Sequence, residues 1–174
     1  MKICIYGNEV LRQTAPQLEC MTDDDRILIE RMAETLYRNK GIGLAANQVG
    51  VLKRIAVIDV EQLTKSEGGA GKPFLRVFVN PCIVSESDED ESFNEGCLSL
   101  PGIDGNVYRP GIVEVQYHDL DFEPHRVTFD GLLARVIQHE IDHLNGKLFI
   151  DHLSFLRRSA LAGQLSKLKK VSKS

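Results

Sequence analysis

The chain has no Cys-x-x-Cys pair and only four cysteines, Cys4, Cys20, Cys82 and Cys97, in 174 residues. That excludes a dense disulfide framework and fits a reducing compartment. Long apolar runs are missing too. Ile3 to Tyr6 is too short for a signal-peptide core, and no stretch approaches the ~20 apolar residues of a membrane-spanning helix. These absences predict a cytoplasmic protein without membrane attachment. Excess positive charge is also lacking: 21 basic against 25 acidic residues leave a net charge of −4, which argues against DNA or another nucleic acid as the main partner. No internal repeat is present. What remains is a 43% hydrophobic chain, the size of one domain over residues 1–174 with a substantial core of its own.

Thr22 followed by three aspartates places a capping side chain and negative charge at a helix start. Leu28, Met32 and Leu36 recur at helical spacing until Lys40-Gly41, which predicts a helix over about residues 23 to 39. Ile55 to Val60, Val77 to Val79 and Ile112 to Tyr117 are short, β-branched and bounded by turn residues, and read as strands. Lys65 to Lys72, with its glycines, reads as an exposed loop, and the acidic run Glu86 to Glu91 as a solvated one.

Asp130 is positioned to cap a second helix with Leu132, Leu133, Val136, Ile137 and Leu144 on its apolar face, ending near Asn145-Gly146. From Leu153 to Ser174 there are six basic residues and no acidic one, with Leu156, Leu161, Leu165 and Leu168 spaced as one face of a basic amphipathic helix. Strands followed by segregated helices predict an α+β fold. Mixed or antiparallel sheets would pack around the second helix, and residues 153–174 would add a C-terminal helix.

That second helix carries His139-Glu140-Ile141-Asp142-His143. Histidines at i and i+4 share a face and can converge on one metal, with Glu140 beside them as a general base. Two imidazoles leave a tetrahedral ion short of a third protein ligand and an open position for water. A thermolysin-like site would take a glutamate further downstream, and a metzincin would need histidine where Phe149 stands. Upstream, Glu95-Gly96-Cys97-Leu98-Ser99 offers a thiolate, a natural partner for two imidazoles. Gly41 to Gln48, directly after the first helix, permits close backbone contact with a ligand, and Gln48 can aim a neutral amide into a site. Asp142 lies off the face of the two histidines; it either pairs with a group such as Arg109 behind them or stays a surface carboxylate. His118, His125 and His152 read as structural or exposed.

Taken together, GIGLAANQ (41–48), EGCLS (95–99) and HEIDH (139–143) resemble the three signature motifs of peptide deformylases, and the resemblance covers about residues 1 to 150. It implies a divalent metal held by Cys97, His139 and His143: iron(II) in the cell, with zinc or nickel in some preparations. Glu140 would move the proton of the attacking water, while Gln48 and the backbone N–H of Leu98 would stabilise the oxyanion. The formylated nascent peptide would lie beside Ile42, Gly43 and Gly96, its methionine in a pocket lined by Ile42, Leu132 and Val136. The implied reaction releases formate and a free N-terminal methionine. Family members can also dock on the ribosome through a basic C-terminal helix, and residues 153–174 suit that role by charge. Two rival readings stand beside it. An HExxH endopeptidase would have no evident use for Cys97, and a non-catalytic binding module would not require both Glu140 and Gln48.

Overall fold

The computed structural model describes residues 1–59 and 75–172. Its centre is a five-stranded antiparallel sheet in the order β1-β2-β3-β6-β7, formed by Gly43–Ala45, Ile55–Ile58, Arg76–Glu86, Ile112–His118 and Pro124–Asp130. A separate antiparallel hairpin pairs β4 (Asp90–Gly96) with β5 (Asp104–Pro110), Glu95 opposite Gly105 and Glu91 opposite Arg109. Among the described residues the helices are α1 (Asp23–Arg38), α2 (Gly131–Leu144), α3 (Phe155–Ala160) and α4 (Ala162–Val171). None is long and apolar enough to cross a membrane.

Strand β2 shows why helices flank the sheet. All four of its residues are buried, and because side chains alternate between faces, Ile55 and Val57 meet α1 while Ala56 and Ile58 meet α2. On the first face Ile29, Met32 and Leu36 of α1 close one core; on the other, Ala134, Ile137, Ile141 and Leu144 of α2 close a second with Phe78, Val115 and Phe129. A third cluster joins Leu100, Ile103 and Val107 of the hairpin region to Leu148, Phe149 and Ile150 and to Leu161 and Leu165. The α+β expectation holds, with every named strand pair antiparallel.

The first helix begins and ends where its caps predict, and Thr22 and Asp25 form a reciprocal capping box. Other expectations need correction. The acidic run 86–91 is exposed but not simply loop: Glu86 ends β3, and Asp90 and Glu91 open β4. Asp130 sits at the N-cap of α2 but its side chain makes no capping hydrogen bond. The basic C-terminal segment is two helices meeting at Leu161, not one. Leu161 and Leu165 are buried, whereas Leu156 in α3 is 79% exposed. The loop expected over Lys65 to Lys72 lies outside the described residues.

Candidate active site

Ten buried residues of α2 include His139, Glu140 and His143, so the motif is held in a helix packed against sheet and hairpin at once. Cys97 follows β4, and the hairpin carries its sulfur to the helix. Metal-ligating atoms of Cys97, His139 and His143 all lie within 4.8 Å of one another, and Cys97 Sγ is 3.1 Å from His143 Nε2. One sulfur and two imidazole nitrogens, with no fourth His, Cys, Asp or Glu grouped with them among the described residues, suit a catalytic divalent metal site and not a closed structural one.

Charge supports the same assignment. Burial alone pushes the Cys97 thiol up, but the imidazole of His143 at contact distance and hydrogen bonding with His139 outweigh it and hold the thiol well below its ordinary range, favouring the thiolate that binds metals. His139 Nδ1 is 2.9 Å from Glu95 Oε2, which leaves Nε2 as the ring nitrogen free to meet a metal. Glu95 is buried, and burial opposes its charge; hydrogen bonds with His139 and Arg109 nonetheless hold its carboxyl far below the usual carboxylate range. Arg109 grips Glu95 with Nε at 2.8 Å and Nη2 at 3.1 Å, and passes Nη1 to Asp142 at 2.5 Å. His152 reaches the same carboxylate of Asp142 from the surface at 2.7 Å. Asp142 is therefore the partner of Arg109 behind the cluster, and the surface-carboxylate alternative drops out.

Glu140 is buried to 3% exposure, and burial raises its carboxyl to about 7. Its Oε2 has no hydrogen-bond partner among the described residues, the state expected of a carboxylate kept for a ligand or a moving proton. Gln48 is buried as well. Its Oε1 accepts from the Ala45 N–H at 2.8 Å, which orients Nε2 toward Ser99 Oγ at 3.2 Å and Cys97 Sγ at 3.5 Å. The strand β1 just before it passes so close to α2 that a Cβ on Gly43 would overlap Glu140 Oε1 and come within 2.8 Å of Val136 Cγ1.

These groups open on a cleft of about 400 Å³ lined by Ile42, Gly43, Gly96, Leu98, Leu132 and Val136 together with Gln48, Cys97, His139 and Glu140. All the residues expected at the site from sequence come together there except His143, which sits behind the cleft wall as the buried third donor. Two roles went unforeseen. Glu95 was legible only as a motif letter, and Arg135, which sequence places next to Val136 at the pocket's rim, is buried in the cleft wall and bonds Glu95 Oε1 at 3.0 Å. An arginine written inside an apolar helix face was the available signal for the second.

Fold and site define an α+β hydrolase whose helix-borne His-Glu-x-x-His pair is completed by a cysteine. The chain matches the family model for polypeptide deformylase over residues 1–159. It is 45% identical to a peptide deformylase of Zymomonas mobilis over 92% of this chain and 90% of that protein. Solved structures agree: a peptide deformylase of Synechococcus elongatus in complex with actinonin has a TM-score of 0.85 at 44% identity, covering 96% of this chain and 86% of that one. One from Plasmodium falciparum reaches 0.89 at 36% identity, covering 99% and 97%. The chain belongs to the polypeptide deformylase family.

Proposed function

We propose that Cys97, His139 and His143 hold a divalent metal, iron(II) in the cell with zinc or nickel able to take the same donors, and that this centre carries the deformylase reaction. The chain hydrolyses the N-terminal formyl group of nascent polypeptides: water adds to the formyl carbon, the C–N bond breaks, and formate and a free amine leave. When bound, the ion supplies Lewis acidity at the formyl carbonyl and acidifies the water beside it. Glu140 takes the proton from that water and returns it to the departing nitrogen. Gln48 Nε2 and the Leu98 N–H, both at the cleft, donate to the oxygen on which negative charge collects. Ile42, Gly43 and Gly96 flank the extended peptide, and Ile42, Leu132 and Val136 take the methionine side chain.

The observation that carries this reading is the unpaired, buried Glu140 Oε2 within a cleft that also contains Cys97, His139 and Gln48. Formate release from formyl-Met-Ala-Ser by iron(II)-loaded protein, prepared without oxygen because a cysteine ligand oxidises, tests it. Glu140→Ala should retain metal and lose about 10²–10⁴ in kcat; no release from a fully metallated wild type would sink the reading.

A cytoplasmic site of action suits both the substrate and a thiolate ligand that must stay reduced. We further infer that α3 and α4 dock on the ribosome. Residues 153–174 contain no acidic side chain, Arg157 and Lys167 are exposed, and binding to dense phosphate weakens with salt. Arg157→Glu with Lys167→Glu should abolish co-sedimentation with ribosomes at low salt while leaving deformylation of free peptides intact. Cutting the chain after Leu153 would be a poorer test, since it would strip Leu161 and Leu165 from the core.

A further inference from the structure

Positions 132, 135, 136, 139 and 140 recur at helical spacing along α2, and all five line the cleft. The face therefore runs from the reaction centre at His139 and Glu140 back to Leu132, and Arg135 stands one turn, about 6 Å, from His139. A charged group in this wall is costly unless fully paired, and Arg135 is only 4% exposed. Its Nη1 donates to Glu95 Oε1 at 3.0 Å and to the Val107 carbonyl at 3.2 Å; its Nη2 donates to the carbonyls of Glu91 at 2.5 Å and Arg109 at 3.4 Å. The ring of Phe93 covers the guanidinium at 4.8 Å. Those partners all belong to β4 and β5, so one side chain from α2 fastens the helix to the hairpin along the cleft.

The geometry points to Arg135, covered by Phe93, as the residue that sets the breadth of the side-chain pocket. It forms a fixed planar wall that admits an unbranched, methionine-like chain and turns away wide, ring-bearing ones. An arginine normally has many rotamers to swing through. This one cannot move aside without taking a donor from three backbone carbonyls and from one oxygen of Glu95. A pocket with yielding walls discriminates poorly by shape; a fixed one can separate substrates differing by a methylene by roughly 10–200-fold. The inference rests on the deformylase reading of the cleft.

The test compares kcat/KM for formyl-Met-Ala-Ser and formyl-Phe-Ala-Ser in metallated wild type, Arg135→Ala and Arg135→Met, with metal content and thermal melting followed alongside. Wild type should strongly prefer the methionine peptide. Arg135→Ala should raise the phenylalanine-to-methionine ratio at least tenfold, mainly through KM. Arg135→Met, which keeps length and loses the fork, should raise it at least threefold, and it decides the matter alone if the alanine variant does not fold. A merely structural role would lower both substrates together, so an unchanged ratio in folded, metallated variants overturns the proposal. No turnover of either peptide by metallated wild type would instead overturn the reading of the site on which it rests.

Discussion

Two single atoms decide most of what Gln48 does: an accepted hydrogen bond from Ala45 on one side of the amide, and donation toward Ser99 and Cys97 on the other. Gln48→Leu keeps the volume and loses the donor. It should fold and bind metal normally while kcat falls by about 10²–10³-fold, the usual cost of an oxyanion donor, as read by formate release at saturating peptide. Gly43→Ala acts by displacement, because its methyl group would occupy the space of Glu140 Oε1. Activity should collapse with little change in metal content, measured by elemental analysis beside turnover. Glu95→Gln neutralises the carboxylate that orients His139 and pairs with both arginines, and turns one of its two acceptor oxygens into a donor. We expect metal affinity to drop about 10–100-fold, measured by competition with a chelating dye. The donors were legible because HExxH on a helix fixes its own geometry within five residues, and Cys97 came with a motif. Arg135 was legible as a neighbour of the pocket but its pairing was not, since that depends on Glu95, 40 residues away in sequence, and no local spacing brings them together.

Helix α1 is the element whose limits sequence predicts best, because its signals are local: Thr22 accepts from the Asp25 N–H, and the Asp25 carboxylate accepts from the Thr22 N–H at 3.0 Å. Thr22→Ala should cost about 1 kcal/mol of unfolding free energy, read from urea titration, with activity unchanged. Burial opposes the charge of Asp25, but hydrogen bonds from Lys53 and Thr22 hold its carboxyl below the ordinary range. Its depressed value means the stabilisation is present above the unfolded-state value near pH 4 and is lost as pH falls through the folded one. Asp25→Asn should therefore destabilise the protein at pH 7 and have a smaller effect near pH 3. The β4–β5 hairpin illustrates the opposite case. DESFNEG and DGNVYRP contain few β-branched residues and a proline, and they become strands because they pair with one another over α2. A helix break at Leu161 was equally invisible: leucines at 156, 161, 165 and 168 do not reveal that the third core captures Leu161 and Leu165 but not Leu156.

At the scale of the molecule there are three cores, α2 closing one of them, and another is closed by distant parts of the chain. Tyr6 and Leu168 pack on it, and a Cβ on Gly7 would come within 2.8 Å of Lys169 Cα. Leu165→Ala, which opens a cavity there, should cost about 2–5 kcal/mol, seen as a lowered urea midpoint. Deformylation below the transition should persist, since the substituted side chain does not line the cleft. Cys97 packs against this same cluster. A chain is made from its N-terminus onward and domains tend to fold as units, so the cluster behind the sulfur stays open to water until the residues around 161–165 have emerged. The order of synthesis thus delays the finished centre until residues well beyond its last ligand, His143, have been made, and an enzyme that serves growing chains must itself grow past its own active site before that site is sealed.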